Sequence, residues 1–370
     1  MSMVLQENVP LAPMTTMGIG GPARYFVDAK DEPTLIEAHQ FARRKELPFF
    51  VLGGGSNIVV ADAGFPGMVV RISIPGRERM PGDDKDSTGR IYRVGAGVDW
   101  DQFVDFCVGQ NLAGVECLSG IPGSVGGTPI QNVGAYGQEV SSVIRSVRVF
   151  DRRAESVREL EKDECGFSYR KSIFNTTERD RYIVLSVTYA LHVGGPPTLR
   201  YADLERYFRS ASLKPSLQDV REAVRKIRRL KAMLYVPEDS NCHSVGSFFK
   251  NPIVKRSFLE ELQKNYPTVD IPYYPVPNAN LPGESPQEAV KIAAAWLIEQ
   301  AGFPKGFPPE SQRKSRVGIS SKHTLALINR GGGTAHEILE LMREVQSGVE
   351  KKFGLRLETE PDFVGFPNQL

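Results

Sequence analysis

The sequence predicts an α+β protein, and three observations carry that prediction. Up to about residue 195 the chain is rich in glycine and in short runs of β-branched and aromatic residues, the texture of strands and tight turns. Beyond about residue 215 apolar residues recur at helical spacing behind N-cap signals. The order of strands and helices in the first half suits mixed sheets better than one doubly wound sheet.

The elements follow in order. "ARYFVDA" reads as a strand and "EPTLIEAHQFARRKE" as a helix, with Leu35, Ile36, Ala38 and Phe41 on one side. "LPFFVL" is a second strand that runs into "GGGSN". The polar stretch 75–89 is expected to be an exposed hairpin tip or mobile loop. "RIYRVGAGV" is a strand, "DWDQFVDFCVGQN" a helix, and "RSVRVF" and "YIVLSVTYAL" later strands. Ser216 with Asp219 opens the helix "SLQDVREAVRKIRRLKAML". Ser285, Pro286 and Glu288 together announce a helix over "SPQEAVKIAAAWLIEQAG". Thr334 and Glu337 repeat the capping box before "ILELMREVQSGVEKKFG", which stops at Gly354. The proline-rich stretch between Val269 and Pro286 is expected to be ordered by packing of its tyrosines.

Composition narrows the function. The apolar fraction of 41%, the charged fraction of 24% and a net charge of +2 are ordinary for a soluble protein and point away from nucleic acid. Cys107, Cys117, Cys165 and Cys242 form no CxxC pair and no metal-like group with the histidines, so they read as free thiols and no metal is expected. The first residues lack the basic start and apolar core of a signal peptide. The longest apolar stretch, 182–193, alternates and is too short to span a bilayer. A cytoplasmic location without membrane attachment is expected.

Two glycine clusters carry the first chemical signal. "FFVLGGGSNIVV" puts Gly53, Gly54 and Gly55 at a strand end, followed by Ser56 and Asn57. "LSGIPGSVGGTPIQNVGAYG" holds Gly120, Gly123, Gly126, Gly127, Gly134 and Gly137. Glycines let backbone N–H groups turn inward on an anion. Neither cluster matches the Walker A or dinucleotide G-x-G-x-x-G pattern. Each alone suits a tight turn equally well; together, with their hydroxyl and amide side chains, they indicate a phosphate-bearing ligand.

The motifs "TTMGIGGPARYF", "VLGGGSNIVV", "LSGIPGSVGGTPIQNVGAYGQEV", "FSYRKSIF" and "GSFFKNP" occur in this order between residues 15 and 252. In this the chain resembles the UDP-N-acetylenolpyruvoylglucosamine reductase family, in the branch with an extra tyrosine loop, from about residue 14 to about 365. The resemblance implies an FAD-binding fold of the vanillyl-alcohol-oxidase type in two subdomains, residues 1–75 and 76–205. A substrate-binding α+β domain, 206–355, and a C-terminal segment returning to the active site, 356–370, would follow. FAD would lie against Gly53, Gly54, Gly55, Ser56, Asn57, Gly120, Pro122, Gly123, Ser124, Gly126 and Gly127. Asn132, Gly134, Ala135 and Tyr136 would run along its flavin. The implied reaction is NADPH-dependent reduction of UDP-N-acetylglucosamine enolpyruvate to UDP-N-acetylmuramate, in peptidoglycan precursor synthesis.

Hydride addition to the enol ether carbon β to a carboxylate builds enolate-like charge, which calls for a proton donor and a carboxylate clamp. By resemblance the donor is Ser247 of "GSFFKNP", with Gly246 allowing close approach, Phe248 and Phe249 as anchors, and Lys250 and Asn251 polarising nearby oxygens. The clamp is Arg170, whose planar guanidinium matches a carboxylate. A second acid aligns at Glu360; Glu358, two residues earlier, would share its side of a strand. Here the chain departs from the family pattern: Pro361 and Asp362 stand where valine and arginine are expected. Tyr201 and Lys231 resemble substrate-gripping residues, and Tyr169, Asn251 and Gln300 are further substrate contacts. His323 reads as a loop histidine, and the run Arg225–Lys231 as a solvated basic helix face. The half beyond residue 200, with Ser247 and Tyr201, argues against a different flavoprotein of this fold, and a non-catalytic nucleotide-sugar binder would have no use for Arg170, Ser247 and Glu360 together. A monomer suffices, and with no separate nicotinamide-nucleotide fold NADPH and the sugar nucleotide are expected to use one cleft in turn.

Overall fold

The computed structural model describes residues 3–81, 89–209, 214–276, 289–309 and 315–366. The chain divides into two compact units. One holds residues 1–16, 21–56 and 63–235; the other holds 17–20, 57–62 and 236–370.

In chain order the first stretch of elements runs β1 (Gln6–Pro10), β2 (Pro22–Ala29), α1 (Glu32–Arg44), β3 (Phe49–Leu52), β4 (Ile58–Val60), β5 (Phe65–Ile72), β6 (Arg77–Met80) and β7 (Gly89–Gly95). Then come α2 (Trp100–Gly109), β8 (Leu112–Ala113), β9 (Gly134–Ala135), β10 (Gln138–Glu139), β11 (Ile144–Asp151), β12 (Ser156–Glu161) and β13 (Tyr182–Val193). The helices α3 (Ala202–Phe208) and α4 (Leu217–Leu230) follow. The rest is β14 (Ile253–Lys255), α5 (Arg256–Asn265), β15 (Tyr273–Pro275), β16 (Ala289–Ile292), α6 (Ala294–Gln300), β17 (Val317–Ile319), β18 (Leu327–Asn329), α7 (Ala335–Phe353) and β19 (Asp362–Val364).

The first unit is built on two sheets. A four-stranded sheet has the order β1-β2-β5-β3, with β5 parallel to both β2 and β3. A larger antiparallel sheet has the order β12-β11-β13-β7-β6, and β8 pairs with β13. Asp31 caps α1 through the N–H of Thr34 at 2.8 Å, and the apolar face of α1 packs on β2 and β5. The core gathers Leu35, Met68, Trp100, Phe103, Phe150 and Tyr189. The legs of the polar hairpin, β6 and β7, pair antiparallel, and its tip 82–88 lies outside the described residues.

The helices α3 and α4 belong to the first unit. Leu204, Val220 and Val224 are fully buried with Cys117, so this core reaches residue 235 rather than 205. Ser216 and Asp219 form the expected capping box of α4. The basic face of α4 is not simply solvated. Arg225 pairs with Asp101, Arg228 donates to the carbonyls of Gly120 and Met233, and Lys231 pairs with Asp203. Of the basic residues in the run only Lys226 and Arg229 are exposed.

In the second unit α7 packs on α6 and on the pair β17-β18, α5 packs on β14 and β16 of the sheet β14-β16-β15, and β19 runs parallel to β4. Phe248, Trp296, Leu297, Ile338 and Val345 lie in its core. Thr334 and Glu337 cap α7, and Gly354 ends it in the left-handed conformation, as its sequence indicates. Asp62 also accepts from the N–H groups of Ala335 and His336, at 2.8 and 3.0 Å.

Two expectations are corrected here. Residues 289–292 form a strand, and the helix begins only at Ala294. Val290 and Ile292 are fully buried and the backbone pairs with strands on both sides, which outweighs a helix-compatible pattern. The caps read at Ser285, Pro286 and Glu288 lie outside the described residues. Tyr273 and Tyr274 are not packed inward: they are 41% and 40% exposed on the edge strand β15. All four cysteines are buried free thiols, and burial pushes that of Cys165 up to about 12. Among the described residues no helix is long and apolar enough to cross a membrane.

Candidate active site

In the first unit the two glycine clusters wall a single cavity of about 550 Å³, a size suited to a small ligand. Gly53 and Gly54 line it from one side, and Gly120, Pro122, Gly123 and Ser124 from the other. The absence of side chains is what lets the loops meet. A Cβ on Gly54 would lie 2.5 Å from Gly123 Cα, and one on Gly55 would lie 1.9 Å from the Met14 carbonyl oxygen. Gly55 and Gly123 also have φ of +64° and +128°, conformations that glycine adopts without strain. Ser56 adjoins Gly123 across this contact, its Oγ 2.9 Å from where a Gly123 Cβ would stand. A glycine backbone exposed in this way suits the diphosphate of a dinucleotide such as FAD. Asn57, the next residue, belongs to the second unit.

Other parts of the second cluster also brace the loop. Gly126 lies against Ala96, while a Cβ on Gly127 would meet open space. Gly120 is buried, and its N–H donates to Asp101 Oδ1 at 2.6 Å, so that donor holds the loop instead of facing a ligand. Asp101, in the first turn of α2, also lines the cavity. Burial would raise its pKa, but hydrogen bonds from Arg221 and the Gly120 N–H, with the charges of Arg221 and Arg225, hold it below the ordinary carboxylate range. Asp101 and Arg225 were missed in the sequence. The only signal was an acid one turn into a helix beside a basic helix far along the chain. Thr15 and Thr16 of the "TTMGIGG" motif also line the cavity.

Arg170 sits at the tip of a tight turn closed by Ser168 and Lys171, whose backbones pair at 2.9 and 3.1 Å. Its φ of +56° is unusual for arginine and costs on the order of 1–3 kcal/mol, a strain typical of functional positions. Arg170 Nη2 donates to the Gly134 carbonyl at 2.9 Å, which joins the turn to the 131–137 loop. Tyr169 packs its ring 5.3 Å from the Arg170 guanidinium. Asn132 is buried and braces that loop, donating to Glu139 and the Ser168 carbonyl and accepting from Ser141 N–H. Ala135 pairs with Gln138 in the β9–β10 hairpin. Tyr136 stands edge-on to Tyr201 at 5.3 Å, and burial raises its pKa. Lys231, at the end of α4, holds Asp203 at 2.6 Å. Tyr136, Tyr201, Asp203 and Lys231 thus stand on neighbouring elements of one unit.

In the second unit the segment of Ser247 runs antiparallel to that of Glu360. Phe249 pairs with Thr359, Glu360 N–H donates to the Phe248 carbonyl at 2.9 Å, and Lys250 N–H donates to Glu358 at 2.9 Å. Phe248 and Phe249 are buried to within 1% and anchor the segment. Gly246 has a φ of +77°, a conformation glycine adopts without strain, and a Cβ there would meet open space. The two acids part here. Glu358 is 75% exposed and pairs with Lys250 at 3.5 Å, whereas Glu360 is half-buried beside the Ser247 strand, with Asn57 Nδ2 on its carbonyl. Pro361 is buried, and Asp362 opens β19. Asn251 accepts the N–H of Ala294 at 2.9 Å and so supports the start of α6. Gln300 is half-buried at the end of α6, and His323 accepts the N–H of Leu325 in a turn.

Residues 23–159 match the FAD binding domain family, and residues 237–364 match the C-terminal domain of UDP-N-acetylenolpyruvoylglucosamine reductase. The chain is 45% identical over 368 residues to the UDP-N-acetylenolpyruvoylglucosamine reductase of Thermobifida fusca (strain YX), covering 97% of this chain and 98% of that protein. The reductase of the same name from Saccharopolyspora erythraea is 42% identical over 362 residues, covering 96% and 94%. A crystal structure of UDP-N-acetylenolpyruvylglucosamine reductase from Thermus caldophilus matches with a TM-score of 0.62 at 27% identity, over 98% of this chain and 99% of that one. The architecture is α+β, and residues 23–159 carry an FAD-binding domain. The chain belongs to the UDP-N-acetylenolpyruvoylglucosamine reductase family.

Proposed function

We propose that this protein is an FAD-containing oxidoreductase that uses NADPH to reduce UDP-N-acetylglucosamine enolpyruvate to UDP-N-acetylmuramate, a step of peptidoglycan precursor synthesis. The observation that carries the proposal is the cavity walled by both glycine clusters, in a chain of this family. Gly53, Gly54, Gly55 and Ser56 on one side, and Pro122, Gly123 and Ser124 on the other, hold the diphosphate of FAD. Bound FAD supplies the chemistry that side chains lack, taking hydride from NADPH and returning it to the β carbon of the enol ether.

The chain's own residues manage charge and protons. Ser247 gives its hydroxyl proton to the α carbon, which is basic enough to take it once the β carbon has gained hydride. Arg170 holds the substrate carboxylate and the negative charge that grows there; a guanidinium keeps its charge at any working pH. Glu360, as a protonated acid donating a hydrogen bond, supports the same developing charge, and its half-buried place favours it over exposed Glu358. Tyr201 covers the sugar nucleotide's diphosphate, and Lys231, drawn toward it by Asp203, grips its phosphates. Tyr169, Asn251 and Gln300 are further substrate contacts. The enzyme acts as a cytoplasmic monomer and binds no nucleic acid.

An anaerobic titration tests this. The purified protein should be yellow, bleach with NADPH, and regain its colour only when UDP-N-acetylglucosamine enolpyruvate is added. A colourless protein that refuses FAD, or recolouring by oxygen and an alcohol but not by the sugar nucleotide, refutes it.

A further inference from the structure

Four charged residues outside the glycine clusters line the cavity, Arg71, Asp99, Asp101 and Arg225, and of these Arg225 comes from the distant helix α4. Arg225, on α4, lines the cavity with Asp101, and its guanidinium donates to Asp101 Oδ2. Asp101 is already well matched without it. Arg221, only 8% exposed, grips Asp101 with Nη1 at 2.6 Å and Nη2 at 3.2 Å, and the Gly120 N–H adds a third bond. Arg221 also meets Asp105 through Nε at 2.9 Å, but Asp105 is 68% exposed and its charge is largely lost to water. The cluster therefore presents surplus positive charge on the cavity side. Arg225 is the member with room to act, its side chain being 38% exposed. A guanidinium held at one edge by a carboxylate still points further N–H donors along its plane.

We propose that Arg225, fixed in the cavity wall by Asp101, binds a phosphate oxygen of the dinucleotide's diphosphate. It adds a charge contact to the backbone cradle, and Asp101 is its positioning residue. This rests on the FAD reading of the cavity and extends it to a residue outside the glycine clusters.

The test uses the full-length chain after removal of flavin, with FAD affinity read by fluorescence over a range of salt concentrations. Arg225→Gln should raise the FAD Kd by about ten- to a hundredfold, the worth of one charge-assisted hydrogen bond to an anion, and flatten the salt dependence. Arg225→Lys should recover part of the loss, and Asp101→Asn should weaken FAD less than Arg225→Gln because the cation stays. The melting temperature of the flavin-free Arg225→Gln chain should match the parent's. Parental affinity and salt dependence in Arg225→Gln would overturn the proposal. So would a fall in flavin-free melting temperature that accounts for the weaker binding, since the arginine would then be a brace only. If the parent itself takes up no FAD, the reading of the cavity has failed, and the role of Arg225 with it.

Discussion

Ser247 carries the sharpest prediction at the scale of single residues. If it delivers the proton, Ser247→Ala leaves NADPH-dependent bleaching of the flavin intact and slows sugar-dependent recolouring by about 10²–10⁴-fold. Stopped-flow measurement of the two half-reactions separates the steps, and equal loss of both would make the serine structural. The two acids are told apart in the same assay. Glu360→Gln should slow recolouring, while Glu358→Gln, which breaks only a 3.5 Å pair with Lys250 at an exposed position, should leave it near parental. Arg170 was legible as a residue type but not as a conformation. Its left-handed backbone and its bond to Gly134 depend on a turn closed by Ser168 and Lys171, which no local signal announced.

Among the elements, the glycine loops make the strictest demand. Gly54→Ala drives a methyl group against backbone at Gly123, and neither side can yield as a side chain would. Overpacking of this kind costs about 1–3 kcal/mol, so the variant should purify with less flavin and a lower melting temperature. A second prediction concerns the end of β11. Asp151, 1% exposed, is bound by Arg181 at 2.7 Å, and that bond lowers its pKa from the usual carboxylate range to about 2 despite burial. A depressed folded-state pKa stabilises the fold above the unfolded value, near 4, and the gain is lost as pH falls from about 4 to about 2. Urea midpoints should drop through that window, and Asp151→Asn should flatten the drop. A parental drop of the same size in Asp151→Asn would assign it to other carboxylates. The elements themselves were readable where caps and periodicity agreed, as in α4 and α7. At 289–292 they were not, because pairing to β14 and β15 decided the conformation and that pairing is remote in sequence.

For the whole molecule, the proposed reaction makes NADPH and the sugar nucleotide alternate at one flavin. Steady-state rates should then give parallel, ping-pong lines with each substrate inhibiting competitively against the other. Intersecting lines from a ternary complex would contradict that order. By itself the sequence determined the fold class, most helix boundaries, the two glycine clusters and the family, because each is written in residues close together along the chain. The tertiary structure alone decided that both clusters wall one cavity, that α4 turns Arg225 and Arg228 onto the second cluster, and that Ser247 lies beside Glu360. It also decided that β4 pairs with β19, some three hundred residues away. These depend on which distant surfaces bury one another, and backbone propensity and spacing do not encode that choice locally.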